Sequence, residues 1–401
     1  LFRLNKRLMM SDSVIIDGVR SPIGINKGNL RGIRPDDLSC NVIKHLLDKN
    51  NNIDSSLYED LVMGCAFPEG SQGGLMAKGV AVLSDLPETI AAKVVNRFCG
   101  SSMDAVHQVS QSIVSGDSTA GIAAGVEHMF NLENERYPGL GVPMMGYNPS
   151  LNPSLIEKQY YIDMGETAEN LAKDLSITRD EQEEFAVKSH KKALKAQENG
   201  NFNNEIVPIS FHDPISDNNI TVDTDEGPRM PDIDKMKTLN PAFDADGTIT
   251  AATASPISIG SAAMILMSED KSNELDLKAE FKIKSRAIAG VDWTRMGAGP
   301  LPATEKALNR AGITMNDIDV IELNEAFAAQ SLYVIKKGNW DIDKVNINGG
   351  AIALGHPLGC SGARIIITLM NVMKQNNSNL GLATMCIGTG QGIATVLERI
   401  N

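Results

Sequence analysis

Residues 91–114 read AAKVVNRFCGSSMDAVHQVSQSIV and predict a strand, a sharp turn and a helix. A short apolar run that contains β-branched residues predicts the strand, and apolar side chains at helical spacing predict the helix. The helical positions are Met103, Val106, Val109 and Ile113. Strand, turn and helix in this order are typical of an α/β fold.

Cys99 lies at the junction between the predicted strand and helix. Free N–H groups at a helix N-terminus stabilise an anion, so we expect a thiolate to form there more easily than in a free cysteine. Ser101 and Ser102 are expected to act as N-cap residues. The alternative is a buried cysteine that packs as a small hydrophobe, and position alone does not decide between the two.

Composition limits the class of protein. The chain has 401 residues, enough for two or three domains, and 42% of them are hydrophobic, which supports a sizeable core. A net charge of −13 argues against nucleic acid or an anionic membrane as the main partner. No apolar run is long enough to span a bilayer.

The five cysteines indicate a reducing compartment, and we expect a cytoplasmic protein. They are odd in number and show no CxxC spacing, so neither a disulfide framework nor a zinc site is expected. Residues 1–10 are interpreted as an extension before the domain, with Met9 or Met10 as the natural start. A targeting role for this extension is the alternative.

Strand and helix signals alternate at both ends of the chain, which predicts a parallel sheet covered on both faces. The expected strands are residues 13–17, 61–65, 119–126, 262–267, 281–289 and 319–323, and the expected helices are residues 35–50, 75–83, 302–311 and 326–335. Residues 129–250 are expected to be an inserted loop domain, folded over the first domain, with a capping box from Thr178 to Glu181. The first half would then comprise 11–128 and 251–277, and the second 278–401.

The second half repeats the plan of the first. Residues 319–335 again predict strand, turn and helix, with Asn324 at the turn, as Cys99 is in the first half. This weak similarity predicts a duplicated fold. Such a duplication would place Cys99 and Asn324 near a shared centre.

Two glycine-rich motifs lie near the C-terminus. Residues 346–364, NINGGAIALGHPLGCSGAR, place His356 on a loop at a helix start. An imidazole is the natural base for activating a thiol, although a lone histidine is more often structural. Residues 381–398, GLATMCIGTGQGIATVLE, predict an antiparallel hairpin in which Cys386 ends the first strand and Gly388 presents its N–H. Without a following helix, this is no dinucleotide fingerprint.

Four blocks in this order, NRFCGSSMDAV, LNEAFAAQ, NGGAIALGHPLGCSGAR and ATMCIGTGQGIA, strongly resemble the thiolases. The last two look most like degradative 3-ketoacyl-CoA thiolases, including the β-subunit of the fatty-acid oxidation complex. The resemblance implies a thiolase fold: an α/β, five-layered αβαβα arrangement of two duplicated halves with an inserted loop domain. It also implies an obligate homo-oligomer, a dimer or a tetramer.

The resemblance also implies a role for each candidate residue. Cys99 would be the acyl-accepting nucleophile, activated by His356, and Cys386 would move the proton to and from the alpha carbon of acetyl-CoA. Asn324 would hold a water that forms one oxyanion hole with His356, and the backbone N–H groups of Cys99 and Gly388 would form the other. The residues expected to bind the substrate are Arg229, Ser255 and Met164.

Two positions depart from the family pattern. The family often reads SDG where this chain has Ser258, Ile259 and Gly260, which puts a structural contact in doubt. Many acetoacetyl-CoA thiolases carry histidine where Asp163 stands. The second departure weakens the short-chain biosynthetic interpretation.

The expected function is thiolysis of a 3-ketoacyl-CoA by coenzyme A in fatty-acid β-oxidation. Coenzyme A would be a substrate, with no metal and no resident cofactor, and a hydratase–dehydrogenase subunit would be a further partner. A biosynthetic acetoacetyl-CoA thiolase is the main alternative. A ketoacyl synthase needs two histidines in the second half, whereas one follows His212 here. A non-enzymatic acyl-CoA carrier is a further alternative. Such a protein would tolerate loss of Cys99 or His356, whereas both are present here together with Cys386.

Overall fold

The structure of the protein is a computed structural model and describes residues 11–130 and 152–400. The expected N-terminal extension, residues 1–10, lies outside the described residues. So does nearly all of the stretch at 136–153, which is rich in Gly, Pro, Met and Tyr. The limits given above for the domains stay predictions.

Nine of the twelve strands of the described residues lie at expected positions, mostly with longer bounds, and those at 24–25, 209–213 and 218–222 were not predicted. They are β1 (Ser13–Arg20), β2 (Gly24–Ile25), β3 (Tyr58–Gly64), β4 (Ala91–Val95), β5 (Ala120–His128), β6 (Ile209–Asp213), β7 (Asn218–Val222), β8 (Ser258–Ser268), β9 (Phe281–Gly290), β10 (Val320–Leu323), β11 (Leu380–Ile387) and β12 (Gln391–Arg399).

The helices of the described residues fall into longer ones that cover the sheet and shorter ones in loops. They are α1 (Pro35–Lys49), α2 (Met76–Leu83), α3 (Ser101–Ser115), α4 (Pro153–Glu157), α5 (Met164–Leu175), α6 (Arg179–Glu198), α7 (Ile233–Lys237), α8 (Glu269–Glu274), α9 (Pro300–Ala311), α10 (Ala328–Gly338), α11 (Ala351–Leu354) and α12 (Leu358–Gln375).

Ten of the strands form one sheet in the order β10-β11-β12-β9-β1-β8-β5-β3-β4, with β2 paired to β8. The expectation of a parallel sheet is wrong, because the sheet is mixed. Parallel pairing occurs between β3 and its neighbours β4 and β5, and between β10 and β11. Elsewhere the strands are antiparallel, since β8 inserts between β1 and β5 and a tight turn joins β11 to β12.

Five layers result from where the helices pack. Helices α3 and α12 contact each other and lie between the two halves of the sheet, α3 against β3 and β5 and α12 against β10 and β11 as well as β5. Helices α1 and α2 cover the outer face of the first half, and α9 covers that of the second. One hydrophobic core surrounds the central helices α3 and α12, and a separate one lies between the sheet and the outer helices in each half. The expected αβαβα arrangement is therefore confirmed.

Two strand–turn–helix units occupy matching places in the two halves. In the first, β4 leads through Cys99 into α3, and in the second, β10 leads through Asn324 into α10. Each of these two strands lies at an edge of the sheet and is the outer member of a parallel pair. The repeat seen in the sequence is therefore a repeat of structure.

Within the insertion, the described residues form α4 to α7 and a separate β6–β7 hairpin. The capping box between Thr178 and Glu181 is present as expected. A buried tether fixes this region to the first half: Arg20 on β1 binds Glu205 at 2.7 Å and Asp225 at 2.7 Å. The insertion also packs on the second half, because α5 and α6 contact α10.

Gly64, at the end of β3, permits the closest approach of the sheet to α3. A Cβ there would lie 2.3 Å from the backbone nitrogen of Ser102. We therefore expect Gly64→Ala to destabilise the fold by about 1–3 kcal/mol, because the backbone of the helix must shift. A thermal unfolding scan would show this as a lower Tm.

Gly79→Ala is the matched control for this substitution. Gly79 lies in α2 with nothing within 4 Å of the added Cβ, so alanine should raise helix stability by up to about 1 kcal/mol. An equal Tm for the two variants would contradict the account of how β3 and α3 approach each other.

Candidate active site

Cys99 is held in a tight turn between β4 and α3. Phe98 just before it has a left-handed backbone conformation with φ of 42°, and Gly100 after it is the N-cap of α3. The Cys99 side chain is 9% exposed. The turn therefore presents the sulfur at the edge of a buried site.

The protonation state of Cys99 differs from the expectation. Burial raises the pKa of the Cys99 thiol to about 11, although the N–H groups of Gly388 and of Cys99 itself act in the opposite direction. The expectation of an easily formed thiolate at the helix N-terminus is wrong here, because desolvation outweighs the favourable N–H groups. At neutral pH the resting group is a thiol.

Neither serine after Cys99 acts as the expected N-cap. The Ser101 hydroxyl accepts a hydrogen bond from the Arg97 N–H at 2.9 Å and donates one to the Phe98 carbonyl at 2.6 Å. The Ser102 hydroxyl instead accepts the Ala363 N–H of α12 at 2.9 Å. Ser101 thus closes the Cys99 turn, and Ser102 ties α3 to α12.

His356 lies on the loop that leads into α12. Gly355 precedes it with φ of 117°, and a Cβ on Gly355 would lie 2.5 Å from the Ser258 hydroxyl. That hydroxyl accepts the His356 backbone N–H at 3.0 Å. Glycine at 355 therefore allows the histidine backbone to reach the start of β8.

Ser361 determines the tautomer of the His356 side chain. Its hydroxyl donates to the Pro357 carbonyl at 2.9 Å, so toward His356 Nδ1, at 2.6 Å, it accepts a hydrogen bond. Nδ1 therefore carries the proton and Nε2 carries the lone pair. Burial, with a smaller contribution from the charge of Arg364, lowers the pKa of His356 to about 3. The imidazole is neutral and can act as a base through Nε2.

Asn324 directly follows β10 and lies next to this imidazole. Its backbone N–H donates to the Thr384 carbonyl at 3.0 Å, and its Nδ2 lies 3.3 Å from His356 Nε2. The side chain is fully buried, and its Oδ1 has no hydrogen-bond partner among the described residues. The amide is thus fixed beside the base with one acceptor free.

Cys386 and Gly388 come from the β11–β12 hairpin, which forms as expected. Cys386 is fully buried near the end of β11. Burial first, and then the negative charge of a Cys99 thiolate, raise the pKa of Cys386 above its ordinary value. The Gly388 N–H faces the Cys99 sulfur. The hairpin therefore brings a second thiol and an N–H donor to Cys99.

One cavity of about 210 Å³ joins four of the residues predicted from the sequence, Cys99, His356, Met164 and Ser255. The remaining lining is mostly apolar. It consists of Asp163, Phe243, Ala254, Ile257, Met296, Ala326, Phe327 and Leu358. Such a cavity suits an apolar group attached to a reactive carbonyl.

Arg229 lies apart from this cavity. It lines a second one of about 340 Å³, together with His190 and Lys235. Residues 251–252 line the second cavity and residues 254–255 line the first, so one short segment borders both. The second cavity has two cationic side chains, Arg229 and Lys235, against one carboxylate, Asp232, while burial lowers the pKa of His190 to about 4 and keeps it neutral. A net positive charge at one end and a thiol at the other fit a long ligand with an anionic end.

Comparison with known proteins agrees with this geometry. A family model described as "Thiolase, N-terminal domain" matches residues 13–270, and one described as "Thiolase, C-terminal domain" matches residues 277–399. The chain belongs to the thiolase family.

Among the described residues no helix is long and apolar enough to cross a membrane, and no cluster of His, Cys, Asp or Glu could hold a metal ion.

Similar thiolases align over nearly the whole chain. The chain is 48% identical to a 3-ketoacyl-CoA thiolase of Marinomonas sp. (strain MWYL1), over 98% of this chain and 100% of that protein. It is 47% identical to a 3-ketoacyl-CoA thiolase of Alcanivorax borkumensis, over 97% and 98%. A Bacillus anthracis acetyl-CoA acetyltransferase superposes with a TM-score of 0.87 at 35% identity, covering 98% of this chain and 99% of that one.

Three residues around the site have positioning contacts that were not predicted from the sequence. Ser258 and Ser361 hold the backbone and the imidazole of His356, and Glu127 accepts the Gly359 N–H of α12 at 2.9 Å. A carboxylate directly after the small residues of the strand predicted at 119–126 was the available signal for Glu127. Where the family often has the aspartate of SDG, this chain has Ile259. Its side chain is fully buried and packs in the core beside α1.

The buried thiol of Cys99 should react slowly with alkylating agents at neutral pH. Because its pKa lies near 11 and only the thiolate reacts, the alkylation rate should rise about tenfold per pH unit through pH 9. Mass spectrometry of the Cys99 peptide after short exposures to iodoacetamide measures this. N-acetylcysteine, which levels off above a pKa of about 8.5, is the control, and levelling of Cys99 below pH 8 would contradict a desolvated thiol.

Proposed function

We propose that this thiolase cleaves 3-ketoacyl-CoA with coenzyme A, giving acetyl-CoA and a shortened acyl-CoA in fatty-acid β-oxidation. The observation that carries the proposal is the meeting of the Cys99 thiol and the neutral imidazole of His356 at a single apolar cavity. The Asn324 amide lies beside that imidazole, and the buried thiol of Cys386 is close enough to Cys99 for their charges to interact. The names of the relatives at 47–48% identity support the same substrate class.

Bond cleavage begins with Cys99. Its sulfur adds to the 3-keto carbon while Nε2 of His356 takes the thiol proton, so two neutral groups become an ion pair only as the bond forms. The tetrahedral oxyanion then collapses and the bond between the second and third carbons breaks. The acyl group stays on Cys99, and acetyl-CoA leaves as its enolate.

Stabilisation of the oxyanions falls to fixed N–H groups. We assign one oxyanion hole to the backbone N–H groups of Cys99 and Gly388, and the other to His356 with a water held by Asn324. Removing one such donor costs about 3–4 kcal/mol of transition-state stabilisation in other enzymes. The support for the first hole is that both N–H groups face the Cys99 sulfur.

Protonation of the enolate is the role of Cys386. A thiol whose pKa is raised by burial is protonated when the enolate forms, so it can give its proton to the alpha carbon. Coenzyme A then attacks the acyl group on Cys99. Its thiol proton restores Cys386, and the proton held by His356 returns to Cys99, so every proton is accounted for.

Binding of coenzyme A is assigned to both cavities. Arg229 would contact the anionic part of coenzyme A, while Ser255 and Met164 line the cavity that receives the reactive end. Coenzyme A is a substrate in this scheme, and we propose that the enzyme uses no resident cofactor.

We further propose that the protein is a homodimer or homotetramer in the cytoplasm and that it docks on a hydratase–dehydrogenase subunit. All five cysteines would be free thiols.

Replacing Cys99 and replacing Cys386 should block different steps of the reaction. Cys99→Ala should abolish acyl-enzyme formation and all turnover. Cys386→Ala should still acylate Cys99 but lose exchange of the acetyl alpha protons with solvent, which NMR in D₂O measures. Cys40→Ala, at a thiol on α1, is the control that should keep both activities. Acyl transfer by Cys99→Ala, or normal exchange by Cys386→Ala, would remove that residue from its role.

Chain length separates the degradative function from the biosynthetic alternative. We expect 3-ketoacyl-CoA of sixteen carbons to be cleaved with a kcat/KM at least equal to that for four carbons, because the cavity lining is mostly apolar. Activity confined to four carbons would favour an acetoacetyl-CoA thiolase. Tight acyl-CoA binding without any thiolysis would instead indicate a carrier.

A further inference from the structure

Glu127 is a fully buried carboxylate behind the active site, at the end of β5. Its Oε2 accepts the backbone N–H of Ala66 at 2.8 Å and of Gly359 at 2.9 Å. Its Oε1 accepts Nε2 of Gln72 at 2.8 Å and the Phe67 N–H at 3.3 Å, and the Cys65 thiol lies 3.8 Å away. Burial raises the pKa of Glu127, and the hydrogen bonds from Ala66, Gln72, Gly359 and Phe67 act in the opposite direction. All five neighbours are donors, so they favour the carboxylate over the acid, whose own proton would find no acceptor among them.

These donors belong to the two segments that carry the reactive residues. Gly359 is in the first turn of α12, three residues after His356. Ala66 and Phe67 form the loop after β3, and this loop supports the Cys99 turn. There Nδ2 of Asn96 donates to the Ala66 carbonyl at 2.9 Å, and the Phe67 and Phe98 rings lie 6.3 Å apart.

We propose that Glu127 is a positioning residue that holds the His356 segment and the Cys99 turn at the distance needed for proton transfer. It touches neither reactive atom. One carboxylate instead ties the first turn of α12 to the loop on which the Cys99 turn rests. The inference rests on the proposed function, because it assigns a role within that reaction.

Glutamine has the same shape but cannot replace this carboxylate. Its amide offers one oxygen, so either the pair Ala66 and Gly359 or the pair Phe67 and Gln72 would face an NH₂ group. Rotating the Gln72 amide cannot supply an acceptor for the new NH₂ group, because its Oε1 already accepts the His128 N–H at 2.6 Å. Glu127→Gln therefore either removes the acceptor that Ala66 and Gly359 share, which frees the first turn of α12, or leaves the loop after β3 held to the side chain through Ala66 alone.

Glu127 also adds a negative charge next to the nucleophile. The ionisable groups around Cys99 are Cys386 from β11, His356 from the loop before α12, Asp163 from the N-cap of α5, which lines the same cavity, and Glu127. Among the carboxylates, it is the charge of Glu127 that raises the pKa of Cys99. No Lys or Arg of the described segments forms an ion pair with Glu127 that would cancel this effect. Removing the charge should therefore lower the pH at which Cys99 ionises.

The test compares Glu127→Gln with Glu169→Gln. Glu169 is a buried carboxylate that also accepts two backbone N–H groups, those of Thr248 and Ile249, both at 2.8 Å, away from Cys99. For Glu127→Gln we expect kcat to fall about 10- to 100-fold, as for small misplacements of reacting groups, with a much smaller change in KM. We also expect the Cys99 alkylation midpoint to move to lower pH, whereas it should stay in place in Glu169→Gln.

Glu127→Asp separates position from charge and serves if Glu127→Gln does not fold. It keeps the charge but is one methylene too short to reach both segments, so kcat should fall while the alkylation midpoint stays near that of the unmodified enzyme. Unchanged kcat in either folded variant, or no midpoint shift in Glu127→Gln, would overturn the proposal. Absence of thiolysis in the unmodified enzyme would refute the proposed function instead, since alkylation is read without turnover.

Discussion

Exclusion of water from the reactive centre is the constraint on which the rest of this structure depends. Cys99, His356, Cys386 and Asn324 are all buried. Burial disfavours every charged form, so it raises the pKa of both thiols and lowers that of the imidazole. The two thiols and the imidazole are consequently neutral at rest. In the proposed reaction, charge appears on them only when a substrate carbonyl is present to receive it and N–H groups are already in place to stabilise it.

Buried polar groups are the means by which distant parts of the chain meet at this centre. Arg20 binds Glu205 and Asp225 and so fixes the insertion to β1, while Glu127 links the loop after β3 to the start of α12. Each carboxylate accepts several hydrogen bonds, which offsets the cost of its desolvation. Apolar packing alone would tolerate small shifts between these elements, whereas short hydrogen bonds fix their separation.

Local signals in the sequence were sufficient for the elements that hold the reactive residues. The turn at Cys99, the loop at His356 and the hairpin at Cys386 were all predicted, because each rests on neighbouring residues and on apolar periodicity. Strand direction was not predictable from alternation, because β8 pairs with β1 and β5 across more than a hundred residues of chain. The roles of Ser102 and Ser361 were missed for a similar reason: their partners depend on tertiary packing or on the loop conformation.

The pKa of Cys99 shows where local reasoning fails on chemistry as well. A helix N-terminus favours a thiolate, and the N–H groups do act in that direction. Sequence cannot report how much water the fold removes, and here desolvation is the larger effect. The prediction of a reactive cysteine and the finding of a protonated one are compatible, because a neutral base lies at the same cavity.

The state of His356 tests this account most directly. In protein labelled with ¹⁵N at histidine, the His356 signals between pH 5 and 8 should be those of a neutral imidazole with the proton on Nδ1. A His356→Gln variant assigns the signals. An imidazolium at neutral pH would mean that the resting site is a thiolate–imidazolium pair, and would contradict a centre kept neutral by the loss of water.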